Sequence, residues 1–303
     1  MKKYKNEFSW SKSRDEIFNT CHRKYYYRYY GGWGGWYDEA DERTKKLYHL
    51  GKLQSRQMWA GSVVHNCIKS TLENIKNDKK LIDKQKVIDE TLEIMRGDFK
   101  SSKKGYYWEN AKTCALFEHE YEINVQNSEW KNTANHVVDC LDNFFDSEVF
   151  DNICHLSNEQ WLEVEKFSSF MLRDLKIWVS LDLSFKDGGK IFIYDWKTGK
   201  LDVDPNKLQP PCYCLYAVNT WKVTPEDVRM MEFYLSNKEL KEHTFSNSEL
   251  DIFVQYVQNA VESMTALLDD KKANIAIEER FGFTEVEKEC DYCNYKKLCS
   301  RWN

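Results

Sequence analysis

Cysteine spacing is the strongest constraint on how this chain can fold. Cys290, Cys293 and Cys299 form a C-x2-C-x5-C cluster, and Cys21 lies far upstream in Asn19-Thr20-Cys21-His22-Arg23-Lys24. Three thiolates so close together suit one soft metal centre, and a tetrahedral site needs one more ligand. Drawing that ligand from Cys21 would tie together two segments near opposite ends of the sequence. The spacing accepts zinc or an iron–sulfur cluster. Cys67, Cys114, Cys140, Cys154, Cys212 and Cys214 read instead as buried small apolar residues. No apolar run reaches the length of a membrane span, and the Lys-rich start lacks an apolar signal core. The sequence therefore predicts a cytoplasmic protein, in which ten cysteines do not read as five disulfides.

The 303 residues, 42% apolar and 15% aromatic, allow one large domain with a sizeable core. A net charge of −5 argues against a uniformly basic surface and leaves room for a local basic groove. Residues 1–36 carry a predicted helix over 11–30. Ser13 and Glu16 read as its capping box, with Ile17, Cys21, Tyr25 and Tyr29 on one face. Gly31-Gly32-Trp33-Gly34-Gly35-Trp36 stops it. Residues 66–155 read as a helical insertion, with amphipathic stretches at 82–98, 111–126 and 130–146; Val64, Ile68 and Leu72 share a helix face just before and into it. From 160 to 245 the period changes to two, which marks a catalytic sheet core. Trp161 to Glu165 is one strand. Ile177–Phe185 and Ile191–Trp196 form a hairpin around Asp187-Gly188-Gly189. Pro210 and Pro211 open a helix, and Val228–Leu235 is a further strand. Residues 246–303 hold a long helix, capped by Ser248 with Leu250, Phe253, Val257, Val261, Met264 and Leu268 on one face, and then the cysteine tail. Strands flanked by helices predict a single α/β domain over 1–303.

The chemistry concentrates at Asp182, Asp195 and Lys197. Alternation puts Asp195 and Lys197 on one side of their strand. Asp182 on the neighbouring hairpin strand would bring a second carboxylate beside Asp195. Two carboxylates in an apolar sheet repel and resist desolvation unless a cation lies between them. A divalent ion satisfies both, polarises a phosphodiester and acidifies a bound water. Lys197 would orient or deprotonate that water, or stabilise transition-state charge.

Ile193-Tyr194-Asp195-Trp196-Lys197-Thr198-Gly199 resembles the D-x-K-T-G motif of RecB-type PD-(D/E)XK nucleases. Gly61-Ser62-Val63-Val64-His65 is similar to their G-x-x-x-H motif. Asp182 matches the upstream G-x-x-D aspartate, although Val179-Ser180-Leu181-Asp182 lacks the glycine. Gln209-Pro210-Pro211-Cys212-Tyr213 resembles the Q-x-x-x-Y motif; its prolines depart from the pattern and place Gln209 at the helix start. Ser11, Ser13, Arg14, Phe18 and Cys21 match the opening segment of the iron–sulfur members. These include AddB-type nuclease domains and small RecB-like nucleases of CRISPR loci. The resemblance implies a PD-(D/E)XK core, a mixed sheet flanked by helices. It implies a Mg2+ or Mn2+ site from His65, Asp182, Asp195 and the main-chain carbonyl of Trp196. Lys197 would be catalytic, assisted by Gln209 and Tyr213. Glu165 is a further candidate on an adjacent strand. A [4Fe–4S] cluster would sit on Cys21, Cys290, Cys293 and Cys299, as a structural staple.

The expected activity is a metal-dependent DNA nuclease acting on single strands or ends in repair, recombination or defence, with a helicase or a CRISPR system as partner. A non-catalytic iron–sulfur nucleic-acid-binding subunit and an RNA-directed nuclease are the alternatives. Trp33 and Trp36 read either as turn anchors or as stacking platforms for bases, with Arg23 and Arg28 as nearby cations.

Overall fold

The computed structural model describes residues 4–78, 82–200 and 207–302. Five strands form one mixed sheet in the order β1-β2-β3-β4-β5: β1 (Trp161–Leu172), β2 (Leu175–Asp187), β3 (Lys190–Lys197), β4 (Val228–Tyr234) and β5 (Glu239–His243). All neighbours are antiparallel except β3 and β4, which run parallel. A parallel pair needs a crossover, and the helix Gln209–Trp221 provides it. The β2–β3 turn is made by Gly188 and Gly189, whose φ values of +53° and +81° suit glycine best.

Ten helices are described. They are α1 (Lys12–Thr20), α2 (His22–Tyr26), α3 (Glu42–Leu50), α4 (Arg56–Asp78), α5 (Lys84–Lys103), α6 (Phe117–Glu120), α7 (Asn127–Phe145), α8 (Glu148–Cys154), α9 (Gln209–Trp221) and α10 (Asn247–Ala266). Two apolar layers enclose the sheet. On one face, α4, α5 and α7 pack Ile68, Met95 and Phe144 against Leu183, Phe185, Trp196 and Phe233. On the other, α9 and α10 pack Cys214, Phe253 and Val257 against Ile177, Ile191, Ile193 and Met230. The helices of 66–155 therefore supply one of the layers that bury the sheet. No described helix is long and apolar enough to cross a membrane.

Several local expectations are corrected. The helix over 11–30 is broken. Ser11, not a Ser13–Glu16 box, caps α1 by accepting from the Arg14 N–H. Cys21 is extended at φ −166° and ψ 119°, α2 restarts the helix, and a π-turn follows over Tyr27–Gly31. The cap of α10 is Ser246, in a capping box with Glu249, two residues before the expected Ser248. Of the stretch 111–126, only Phe117–Glu120 is helical. The first strand also runs past Glu165 to Leu172.

That extension carries a reversal. Trp161 and Val164 of β1, with Leu183 and Phe185 of β2, pack into the α4 layer. Phe170 of β1, with Ile177, Val179 and Leu181 of β2, packs into the α9 layer. The strands exchange faces near Glu165 and Asp182. Glu165 has φ +43°, a left-handed value that costs a non-glycine residue on the order of 1–3 kcal/mol and clusters at functional sites.

Candidate active site

His65 is brought to the sheet by α4. Val64, Ile68 and Leu72 are fully buried and fix the rotation of the helix. Gly61, one turn earlier, allows the approach: a Cβ there would lie 3.2 Å from Thr198 Oγ1. His136 of α7 holds the same loop through Nε2 and the Thr198 carbonyl at 2.9 Å. His65 Nε2 then meets the Trp196 carbonyl at 3.0 Å, and Nδ1 meets Glu165 Oε1 at 3.2 Å. Asp182 Oδ1 is 3.4 Å from the same Nδ1. Asp182 Oδ2 accepts the Trp196 N–H at 2.7 Å. The Trp196 peptide is thus pinned at both ends, with its ring in the core.

Electrostatics report a site with excess negative charge. Burial disfavours a charged His65, but Asp182 and then Glu165 outweigh it and push the ring up to about 11. Burial pushes Asp182 up to about 6 against the pull of His65, with Asp195 and Glu165 adding repulsion. Among the described residues, His65, Glu165 and Asp182 are the one group of potential ligand atoms all within 4.8 Å of one another. One imidazole, carboxylates and a carbonyl make a hard, oxygen-rich donor set that suits Mg2+ or Mn2+.

Asp195 lies outside that trio, in a second, linked group. Its Oδ2 meets the Lys197 ammonium and its Oδ1 accepts from Gln209 Nε2 at 3.0 Å. Lys197 Nζ donates to Gln209 Oε1 at 2.9 Å. Gln209 Nε2 also reaches the Tyr213 hydroxyl at 2.7 Å, and that hydroxyl donates to the Ser180 carbonyl. Pro210 and Pro211 put Gln209 at the first residue of α9, and from there it bridges Asp195, Lys197 and Tyr213. Burial opposes the Lys197 charge, but Asp195 outweighs it and holds the ammonium above its ordinary range.

Beside Asp195 lies a buried carboxylate that the sequence reading did not single out. Glu232 of β4 is the parallel register partner of Asp195. It accepts from Lys207 Nζ at 3.0 and 2.9 Å, and pairs with His243 Nε2 at 2.9 Å. A glutamate between Met231 and Phe233 in an apolar strand was the available signal.

The four cysteines of the predicted centre converge on one small cavity, with Arg23, Lys24, Lys296 and Arg301 also in its lining. All four are free thiols. Burial is the main cause that raises the Cys293 and Cys299 thiols, and the neighbouring thiols add to it. Tyr27 and Tyr295 pack at 5.4 Å between the two segments. Arg23 belongs to this junction: its Nε donates to the Phe281 carbonyl at 2.8 Å and NH1 to Glu278 at 2.9 Å. Arg28 is exposed beside Gly51. Neither lines the groove that holds Trp33 and Trp36.

Sequence comparison matches the chain to the PD-(D/E)XK nuclease superfamily over residues 9–300. The chain belongs to that superfamily. The five-strand mixed sheet flanked by helices is consistent with a PD-(D/E)XK nuclease core. Comparison with curated proteins gave no match. Among solved structures, a similar one is the crystal structure of SSO0001, at 13% identity and a TM-score of 0.28, covering 62% of this chain and 93% of that chain.

Proposed function

We propose that this PD-(D/E)XK protein is a Mg2+- or Mn2+-dependent deoxyribonuclease that acts on single strands or DNA ends and carries a [4Fe–4S] cluster. The observation that carries the reading is the clustering of His65, Glu165 and Asp182 beside the Asp195–Lys197 pair. A scaffold gains nothing from burying so many carboxylates around one imidazole. His65, Asp182 and the Trp196 carbonyl would hold the ion, with Glu165 and Asp195 completing its shell. When bound, it would polarise the phosphodiester and acidify a water. The chain's own groups do the rest. Lys197, held charged, offers its ammonium to the developing phosphate charge and is a cation before it is a base. Gln209 fixes that ammonium, and Tyr213 fixes Gln209 on the backbone of β2.

The convergence of Cys21, Cys290, Cys293 and Cys299 on one cavity supports a four-thiolate metal centre, and the resemblance to the iron–sulfur members supports iron over zinc. The cluster's part in the fold would be to hold α1 and α2 against the tail.

Labelled single-stranded and duplex DNA, incubated with Mn2+ or Mg2+, tests the activity. Cleavage should require the metal, stop with chelator, and be lost in Lys197→Ala while that variant still binds Mn2+. Full activity in Lys197→Ala would overturn the assignment of the active site, and no cleavage by the wild type with either metal would favour the non-catalytic alternative.

A further inference from the structure

A groove of about 950 Å³ lies between the first residues of the described chain and the β1–β2 hairpin. Ser180, Gln209 and Tyr213 are in its lining, so it reaches the group that positions Lys197. Two aromatic clusters also line it. Trp33 and Trp36, 39% and 40% exposed, pack edge to face at 5.1 Å. On the hairpin, Phe167 and Trp178 stack at 4.5 Å with 6° between their planes, and Phe167 is 67% exposed. They form a diagonal pair, since Phe167 faces Ser180 and Ser169 faces Trp178 in the register. Lys176 Nζ sits 4.0 Å from the Trp178 ring.

This hairpin is held stiffly. Trp10 adds itself to the edge of β2 by donating to the Lys176 carbonyl and accepting the Trp178 N–H, each at 2.9 Å. The Phe167 ring thus presents one open face on a fixed support. An aromatic ring left that exposed serves no core. The charge of the groove also departs from the protein as a whole. Its lining holds Lys5, Lys12, Arg14 and Lys176 against the single acid Glu7, on a chain of net charge −5.

We propose that the Phe167–Trp178 stack, with Lys176, is a base-stacking platform that seats a single-stranded polynucleotide in this groove and leads it to Gln209 and Lys197. The proposal rests on the nuclease reading and names the strand's route. Unpaired bases are the ligand class that uses both features: π-faces stack on exposed rings and phosphates meet the lysines. Bases within a duplex already stack on one another. Trp178 precedes Asp182 by four residues, about 13 Å along an extended strand. That is the length of about four stacked nucleotides at 3.4 Å each.

The test is fluorescence anisotropy with oligothymidylates in chelator, where binding is read without turnover. For a strand of about twelve nucleotides, Phe167→Ala should weaken binding by about tenfold, the order expected for loss of one stacked base. Phe167→Trp should restore it. A blunt duplex of the same length, whose bases already stack on one another, should lose much less. The melting temperature should hold, because Phe167 covers little core. Unchanged twelve-nucleotide single-strand binding in Phe167→Ala, or an equal loss for the duplex, would overturn the platform. Should the wild type fail to cleave while Phe167→Ala still loses single-strand binding, the nuclease reading falls and the platform stands.

Discussion

Glu232 offers a quantitative test of what holds the sheet around Lys197. Its side chain is buried beneath Lys207, Tyr234 and His243. Burial works against the carboxylate, but hydrogen bonds from His243 and Lys207, and the charges of Lys207 and Lys197, outweigh it and pull Glu232 from 4.5 to about 2. Each tenfold difference between folded and unfolded ionisation is worth about 1.4 kcal/mol, so the network contributes on the order of 3 kcal/mol at neutral pH. The sign follows from a depressed carboxylate: the contribution is complete above the unfolded value and is lost as pH falls toward the folded one. By about pH 3 it should drop below half, to roughly 1.4 kcal/mol. Glu232→Gln removes the charge and keeps the shape. Urea unfolding followed by tryptophan fluorescence should show the variant about 3 kcal/mol less stable near pH 7, with the gap narrowing in acid at similar m-values. A gap below about 1 kcal/mol at neutral pH would mean that desolvation cancels the ion pairs, as it does at some buried bridges. A gap that persists unchanged in acid would show that shape, not charge, was lost. Either result refutes the electrostatic account.

Two further outcomes are expected. Anaerobically purified protein should be brown, with a broad band near ~400 nm from cysteine-ligated iron; Cys21→Ser should lower iron content and melting temperature together, and a colourless protein with one zinc per chain would reject the cluster. Gly61→Leu should fold, since leucine is a good helix former, but lose most nuclease activity by driving the Thr198 loop away from His65; retained activity would show that the contact at Gly61 is incidental.

The sequence was most legible where structure is made locally. The Gly188-Gly189 turn, the prolines that open α9, and the apolar face of α4 each follow from a few adjacent residues. Motif spacing singled out His65, Asp182, Asp195 and Lys197, and the structure brings them into two touching groups. Reading failed where distant segments decide. Periodicity ended the first strand at Glu165 because the strand turns over there, and its inward positions change parity. β5 was missed because Glu239-Leu240-Lys241-Glu242-His243 is a polar edge strand with little apolar alternation. The break at Cys21 interrupts an otherwise unbroken four-residue repeat, and no local residue announces it.

That break has a consequence in time. Arg23 and Phe281 stand 258 residues apart in sequence, yet their contact lies beside the cavity that Cys21 shares with Cys299. A growing chain presents α1 and α2 early, and their contacts arrive in steps: Asp15 waits for Tyr256, Arg23 for Phe281, and Cys21 for the thiols that end at Cys299. The sheet, all of it encoded before residue 244, is available to fold in the interval. A chain that stops short of Cys290 would still seat α1 through Tyr256 and Asp15 and α2 through Arg23 and Phe281, but would lack three of the four thiols that line the cavity.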